Sequence, residues 1–337
     1  MLTSNNIQIC NATIHAGEKA TLALPLPEQY SCSPMYMPIK VINGKHPGEC
    51  LVALSTLQGN EFIGLDIINQ LYDAIDPSEL HGSLILVPVL NVYGLTHYPK
   101  TSPSGGLLTD CFPGNENGSY GERIAHIFTQ EILTKANYCI EFQTGSLNHD
   151  TFPHVYCNFD DKLTVKLARA FQAPVILEVE TSASQFRQTT ESLNIPLLVY
   201  QAGEAMRLDP VAIQIGLTGI KNILAKVGLL EGGFEKNSTP VVSKDDDWLL
   251  APSSGILHTE VSLGQHIKKG EKIGRLSDPF SNENSTVITS QLDGVVVGIN
   301  RTPLIQEGLS IFKIASFIDN ERAQSFLEEW GEQNSTS

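Results

Sequence analysis

The strongest constraint on the fold is an alternation, beginning near residue 36, between short apolar runs and longer segments with helical periodicity. CLVALS at 50–55 is a continuous apolar run of strand length. The apolar residues that follow fall on one helical face: Phe62, Leu65, Ile68, Leu71 and Ile75. Asp76-Pro77 then ends the predicted helix, because proline cannot continue it. Apolar strands separated by amphipathic helices predict a sheet that is covered on both faces.

The alternation continues to about Val227. A helical pattern covers 119–136, and further apolar runs predict strands at 83–89, 137–142, 173–180 and 195–201. Asp209-Pro210 is typical of a helix N-cap followed by proline in the first turn. We therefore predict an α/β domain at 36–243, with a mixed central sheet flanked by helices, after a β-rich lead-in at 1–35.

The composition changes after about residue 243. Short apolar runs interrupted by frequent glycines predict a smaller all-β, barrel-like module at 244–316. Its two halves resemble a lipoyl-type hammerhead. The turn SQLDG at 290–294 carries no lysine, so a swinging prosthetic group is not expected. The remaining segment, 317–337, predicts one short helix and a frayed tail.

Charge and cysteine content exclude several classes of protein. The net charge of −15 in 337 residues would repel phosphate backbones and acidic membrane surfaces, so neither nucleic acid nor membrane is an expected partner. No apolar run reaches the roughly 18 residues of a membrane span. The start, MLTSNNIQIC, lacks the pattern of a secretory signal, which predicts a cytoplasmic protein whose six scattered cysteines are buried thiols. The oligomeric state stays open.

Four separated segments place polar residues at or near the ends of predicted strands. They are TLQGNE at 56–61, the stretch from Asn91 to Gly114, EFQT at 141–144, and YQAGE at 200–204. Taken singly, Gln58 is an ordinary turn residue beside glycine, and Glu61 is a carboxylate favoured at a helix start. Their order and spacing together are far more specific than any one of them.

Together these segments resemble the succinylglutamate desuccinylase/aspartoacylase family, zinc amide hydrolases with a zinc carboxypeptidase-like fold, over roughly 36–316. The family motifs are a G-x-H-G-[DN]-E turn, a long segment from Asn to Pro-Gly, a D-[LF]-H-T strand end and an E-x-G strand end. Their scaffold residues persist here as Gly59, Asn60, Glu61, Asn91, Pro103, Phe112, Pro113, Gly114 and Thr144.

The residues that carry the family's chemistry are mostly replaced. By resemblance, the zinc-ligand positions are Gln58, Glu61 and Gln143, the general-base position is Gln201, and the substrate-binding positions are Lys100, Thr109 and Asp110. A carboxamide oxygen is a much poorer zinc donor than a neutral imidazole nitrogen. A glutamine cannot take a proton from water. Asp110, where the family has arginine, would repel a substrate carboxylate.

These replacements predict a pseudoenzyme that needs no cofactor and binds a small polar molecule or a protein partner in the former catalytic cleft. The alternative is an active metal-dependent amide or ester hydrolase, with zinc or another metal held by substitute ligands. The candidate substitutes are His149, His154, Cys111 and Cys157, and His97 is a candidate ligand contact. A purely structural subunit is a third possibility, which a closed cleft would favour.

Overall fold

A computed structural model describes residues 6–28, 34–97, 105–232, 239–280 and 285–334. Its strands are β1 (Ile7–Ile9), β2 (Ala12–Ile14), β3 (Glu18–Pro25), β4 (Tyr36–Asn43), β5 (His46–Ser55), β6 (His81–Val87), β7 (Tyr138–Gly145), β8 (His149–Cys157), β9 (Val175–Glu178), β10 (Leu197–Glu204), β11 (Val241–Leu250), β12 (Gly255–Thr259), β13 (His266–Ile267), β14 (Lys272–Ser277), β15 (Ser285–Thr289), β16 (Gly294–Asn300), β17 (Leu304–Ile305) and β18 (Ser310–Phe317).

The α-helices are α1 (Phe62–Ala74), α2 (Val92–His97), α3 (Tyr120–Glu131), α4 (Lys162–Phe171), α5 (Gln185–Ser192), α6 (Pro210–Lys226) and α7 (Asn320–Asn334). Short 3-10 helices lie at Leu108–Cys111, Leu133–Lys135 and Thr181–Ala183. Strands and helices alternate from β5 to α6, which confirms the predicted α/β class.

One mixed sheet organises the molecule. Within the described ranges it has twelve strands in the order β13-β16-β18-β11-β9-β8-β10-β7-β5-β6-β4-β3. The neighbours β10, β7, β5 and β6 run parallel, whereas β8 is antiparallel to β10. The predicted mixed central sheet is therefore confirmed, and its parallel part places several strand ends at one edge.

Helices cover both faces of this sheet, which explains why its strands are continuously apolar. In β5, Leu51 and Ala53 belong to the core under α1, α4 and α6, whereas Val52 and Leu54 belong to the core under α3 and α5. Because successive side chains of a strand point to opposite faces, a strand buried on both sides has no polar alternation.

The C-terminal strands are divided between two sheets. β11 continues the main sheet through parallel pairing with β9, and β16 joins it through antiparallel pairing with β8. β12, β14, β15 and β17 form a separate four-stranded sheet. The predicted boundary at 243/244 thus lies inside β11, and the barrel-like module shares strands with the α/β sheet. The division into separate domains remains a prediction.

In the part of the chain that the structure describes, no helix is both long and apolar enough to cross a membrane.

Candidate functional site

The carboxyl ends of three neighbouring parallel strands bring the predicted site residues to one edge of the sheet. Ser55 of β5 pairs with Phe142 of β7, and Gln143 of β7 pairs with Gln201 of β10. The Ser55 hydroxyl also donates to the backbone oxygens of Phe142 and Glu61, at 3.2 and 3.3 Å. The turn after β5 therefore lies beside the ends of β7 and β10. We call this region the strand-end cleft.

The turn that carries Glu61 is fixed by its backbone. The backbone N–H of Gln58 donates to Glu61 Oε2 at 3.1 Å, and the Glu61 side chain is buried. Gly59 adopts a φ of +89°, and a Cβ at this position would lie 2.5 Å from the Cα of Gly94. Asn91 holds Gly94 in place by accepting its N–H at 2.8 Å. This close approach requires glycine at 59, and the Gln58 N–H orients the Glu61 carboxylate.

The two glutamines at the ends of β7 and β10 form a connected amide network. Gln143 Nε2 donates to Glu141 Oε1 at 2.6 Å. Gln201 Nε2 donates to the backbone oxygen of Thr144 at 3.0 Å and lies 3.4 Å from Gln143 Oε1. Because Glu141 accepts the Gln143 amide hydrogen, the Gln143 oxygen faces Gln201. Glu141 is thus a positioning residue for the Gln143 amide.

Glu141 and Arg187 were not identified from the sequence. Burial raises the pKa of the Glu141 carboxyl, and the Gln143 hydrogen bond and the Arg187 charge counteract part of this effect. Burial lowers the pKa of the Arg187 guanidinium, and the charge of Glu141 opposes that. Glu141 could have been found because it stands two residues before Gln143 on the same strand face. Arg187 lies on α5, and no local pattern connects it to the strand-end cleft.

His154 lies opposite Gln201 on the antiparallel neighbour β8. Its ring is fully buried, and its Nδ1 lies 2.6 Å from the backbone oxygen of Phe152. Burial, with a further contribution from the charge of Lys313, lowers the pKa of His154 to about 3 despite contacts with Phe152 and Gln201. The imidazole is therefore neutral at pH 7, and its Nδ1 is engaged with the backbone.

The C-terminal strands contribute a partly buried cation near this histidine. Lys313 Nζ donates to the Tyr156 hydroxyl at 2.7 Å and forms an ion pair with Asp246. Burial alone would lower the pKa of Lys313, but Tyr156 and Asp246 outweigh it and the pKa is raised. The Tyr156 ring in turn packs edge-on against His154, with centroids 4.7 Å apart. Through Tyr156, Lys313 of β18 is thus linked to His154, the residue opposite Gln201.

Two of the predicted substrate positions, Thr109 and Asp110, lie in the described residues, and neither has a hydrogen bond to the amide network there. Thr109 and Asp110 lie on the 3-10 helix at Leu108–Cys111, where Asp110 is exposed. No hydrogen bond joins Asp110 to Gln143 or Gln201 among the described residues; the Thr109 hydroxyl lies 3.5 Å from its carboxylate. Lys100 and Pro103 lie outside the described residues. The inferred repulsion of acidic ligands by Asp110 remains a prediction.

The other candidate metal ligands have different neighbours. His97 stacks on Tyr93, with ring centroids 4.4 Å apart, and His149 packs edge-on against Trp248. Burial raises the pKa of Cys157 to about 12, and burial also raises the pKa of Cys111. Across the described ranges, no group of three or more His, Cys, Asp or Glu side chains could hold a metal ion.

The donor set at the family's zinc positions does not fit zinc. It consists of the Glu61 carboxylate, already accepting a backbone N–H, and two carboxamides, one of which is oriented by Glu141. Catalytic zinc sites use three strong protein donors, usually imidazole nitrogen or carboxylate oxygen, and amide oxygen is a weaker donor. One strong donor does not make such a site, so we derive no catalytic step through zinc.

The fold and the strand-end cleft define an α/β protein with polar side chains at the carboxyl ends of parallel strands, where ligands bind in open α/β sheets. The family model for the "Succinylglutamate desuccinylase/Aspartoacylase catalytic domain" matches residues 48–227. The chain therefore belongs to the succinylglutamate desuccinylase/aspartoacylase family.

Similar proteins extend this relationship over nearly the whole chain. N-alpha-acetyl-L-2,4-diaminobutyric acid deacetylase of Halomonas elongata is 25% identical over 315 residues, covering 89% of this chain and 91% of that protein. A succinylglutamate desuccinylase/aspartoacylase from Rhodobacter sphaeroides aligns with a TM-score of 0.80 at 21% identity, covering 89% of this chain and 96% of that one. The product-bound ectoine utilization protein EutE (DoeB) from Ruegeria pomeroyi has a TM-score of 0.80 at 22% identity, covering 93% and 100%. The solved structures share the fold.

Proposed function

We propose that this chain is a pseudoenzyme of its family that lacks zinc-dependent hydrolysis and binds a small polar ligand in the strand-end cleft. The observation that carries the proposal is the hydrogen-bonded series Glu141, Gln143 and Gln201, which occupies two positions of the family's catalytic chemistry. Each member has a hydrogen-bond partner within the series, and Gln143 keeps one amide hydrogen and one lone pair for a ligand. A partly buried hydrogen-bonded network of this kind orders its side chains without needing a metal.

The absence of a base supports the same proposal. Gln201 donates both to Thr144 and toward Gln143, so its amide hydrogens are held by protein acceptors. A neutral carboxamide cannot deprotonate water, and positioned proton transfer contributes roughly 10² to 10⁴ in rate. Restoring a metal alone would therefore leave hydrolysis slow.

The chemistry of the cleft favours a neutral or cationic ligand with an amide or amine group. Carboxamides both donate and accept hydrogen bonds, which suits a ligand amide. The Halomonas elongata relative is named for a compound that carries an acetylated amine, an acid group and a further amine. We expect this chain to retain recognition of the amide or amine part of such a molecule without cleaving it.

The alternative is an active amide or ester hydrolase that uses another metal or substitute ligands. The position of His154 beside Gln201 favours it, because one imidazole does lie next to the former base position. That ring would have to release the Phe152 carbonyl to use Nδ1 as a ligand. Added zinc distinguishes the two proposals: the alternative expects a clear rise in the melting temperature, whereas the pseudoenzyme expects little change.

The net charge restricts the expected partners. We expect the protein to act in the cytoplasm, and its net charge of −15 disfavours nucleic acid and acidic membranes as partners. A protein partner that occupies the same cleft would compete with small ligands.

A thermal-shift screen tests the proposed binding. Amines, amino acid amides and neutral sugars are compared with dicarboxylates, and members of the first group should raise the melting temperature. Gln143→Leu should abolish the shift because it removes the amide that faces the strand-end cleft. Gln188→Leu, at an exposed position on α5, is the matched control and should leave the shift unchanged. Stabilisation by dicarboxylates alone would refute the proposed ligand charge.

A further inference from the structure

A second cavity lies at the edge of the sheet opposite the strand-end cleft. Its volume is about 330 Å³, and its lining includes Asn158, Arg187, Glu191 and Leu197. Leu197 begins β10, whereas Gln201 stands four residues further along that strand, roughly 13 Å away at the usual rise per residue. The cavity is therefore separate from the amide network. We call it the α5 cavity, because α5 forms one of its walls.

A change of strand direction explains the position of this cavity. β8 is antiparallel to β10 and parallel to β9, so the carboxyl ends of β8 and β9 lie at the edge where β10 begins. Asn158 follows β8, Val179 follows β9, and both line the α5 cavity. Because ligands in α/β sheets bind beyond the carboxyl ends of strands, this mixed sheet offers a binding position at each of its two edges.

Two opposite charges line the α5 cavity one helical turn apart. Arg187 and Glu191 are four residues apart on α5, which places them on the same helix face. Side chains of opposite charge at this spacing can form an ion pair, but these two form none within the described residues. A molecule that carries both a negative and a positive group can bridge them.

Each of the two charges has its own surroundings. The Thr181 hydroxyl donates to Glu191 Oε1 at 3.2 Å, and Asn158 Nδ2 donates to the Thr181 hydroxyl at 3.2 Å. Burial lowers the pKa of the Arg187 guanidinium, and the charge of Glu141 on β7 counteracts this effect. The guanidinium therefore faces the sheet, whereas Glu191 lies at the exposed end of α5.

The protein leaves the donors of Arg187 unused. A guanidinium has five N–H donors, yet across the described ranges that of Arg187 donates no hydrogen bond and forms no ion pair. The side chain is partly buried, and a cation removed from water is costly unless it is paired. An anionic group of a ligand in the α5 cavity would supply that partner.

The rest of the lining restricts the size and the side chain of a ligand. Ile195 and Leu197 are almost fully buried, and Val179 adds further apolar surface. A volume of about 330 Å³ is at the lower end of the range for small-molecule pockets, so it suits a single small molecule rather than a peptide. Asp161 also lines the cavity, and its carboxylate disfavours a ligand with an additional negative charge.

We propose that the α5 cavity binds a free α-amino acid with an aliphatic side chain. The ligand carboxylate pairs with Arg187, its ammonium group pairs with Glu191, and its side chain packs on Ile195 and Leu197. This site is additional to the ligand binding proposed for the strand-end cleft and does not depend on it.

Calorimetric titration of leucine into the full-length protein tests the proposal from the side of the ligand. Leucinamide lacks the carboxylate and N-acetyl-leucine lacks the ammonium group, so each loses one charged hydrogen-bonding contact. We expect both to bind about ten- to a hundredfold more weakly than leucine. Glycine, which has no side chain to bury, and glutamate, which adds a negative charge, should also bind more weakly than leucine.

Variants of the two charged residues locate the site. Arg187→Met and Glu191→Gln should each weaken leucine binding by a similar factor of about ten to a hundred. Glu191 is exposed, so Glu191→Gln keeps the test open if Arg187→Met destabilises the fold by removing the charge near Glu141. The matched controls are Arg322→Met and Glu329→Gln at exposed positions on α7, and both should leave leucine binding unchanged.

Several results would overturn the proposal. They are the absence of leucine binding, equal binding of leucine and N-acetyl-leucine, and unchanged leucine binding in Glu191→Gln. Loss of leucine binding in Gln143→Leu but not in Glu191→Gln would assign leucine to the strand-end cleft, which overturns this inference and leaves the proposed function standing. Retention in Gln143→Leu with loss in Glu191→Gln supports the α5 cavity.

Discussion

Acidification should destabilise this protein partly through His154. The ring is fully buried, lies against the Phe152 carbonyl and the Tyr156 ring, and is close enough to Lys313 to feel its charge. Burial, first, and Lys313, second, lower its pKa from 6.5 to about 3. The unfolded chain therefore binds a proton at His154 over a pH range in which the folded protein does not.

The size of the effect follows from that difference. Because the pKa of His154 is lower in the folded protein than in the unfolded chain, His154 does not reduce the free energy of unfolding above pH 6.5. Below pH 6.5 the unfolded chain takes up the proton first, so the free energy of unfolding falls steadily as the pH approaches 3. Each pH unit within this window removes about 1.4 kcal/mol, so His154 alone should reduce the free energy of unfolding by about 2 kcal/mol between pH 7 and pH 5.

Urea unfolding at a series of pH values measures this contribution. His154→Asn retains a side-chain N–H for the Phe152 carbonyl but cannot take up the proton, so its stability should fall less steeply between pH 7 and pH 5. The variant is expected to be less stable than the parent at pH 7, and the difference should shrink on acidification. His15→Asn, at an exposed histidine, is the control. Equal pH slopes in the parent and His154→Asn would refute the reasoning.

Three further predictions concern the metal site, the turn and the partly buried Lys313. Gln58→His with Gln143→His should create zinc binding detectable by calorimetry, because Glu61 remains and Glu141 can accept the new ring N–H as it now accepts the Gln143 amide. Hydrolysis should also require Gln201→Glu. Hydrolysis by the variant with the two histidines alone would contradict the assigned base position. Gly59→Ala should cost at least about 2 kcal/mol of unfolding free energy, measured with urea, because of the positive φ and the contact with Gly94; a smaller loss would show that the turn relaxes. Lys313→Met should cost about 2 to 4 kcal/mol in the same assay, since Asp246 would remain largely buried without its cation; an unchanged stability would refute the role of this pair.

The sequence was sufficient to predict the parts of the fold that follow from local periodicity. Three predicted elements appear in the structure: the apolar run at 50–55 lies in β5, the helical face that begins at Phe62 is α1, and the helix predicted to start at Asp209-Pro210 is α6. These elements are determined by burial on both sheet faces and by local capping, which are readable from neighbouring residues.

Long-range pairing was beyond sequence reasoning. The joining of β11 to β9 and of β16 to β8 depends on contacts between segments more than 60 residues apart, and a run of short strands does not specify which sheet each strand enters. The structure therefore merges the expected C-terminal module with the main sheet.

The site was predicted in part. Motif order placed Gln143 and Gln201 together, and the structure joins them. Motif order did not reveal that Glu141 orients the Gln143 amide, because that follows from a side-chain hydrogen bond. It also did not reveal that Met206 has a positive φ. The expected role of Asp110 stays a prediction: it lies on an exposed 3-10 helix, and no hydrogen bond joins its carboxylate to Gln143 or Gln201 among the described residues.

The central claim is that the family's zinc site has been replaced by an amide network, and zinc content tests it most directly. Elemental analysis of the full-length protein, purified without chelator and dialysed against metal-free buffer, should find well below one zinc per chain. The Gln58→His, Gln143→His variant, prepared in parallel, should retain more zinc than the parent. One tightly held zinc per chain in the parent would contradict the account and would favour the active metal-dependent hydrolase.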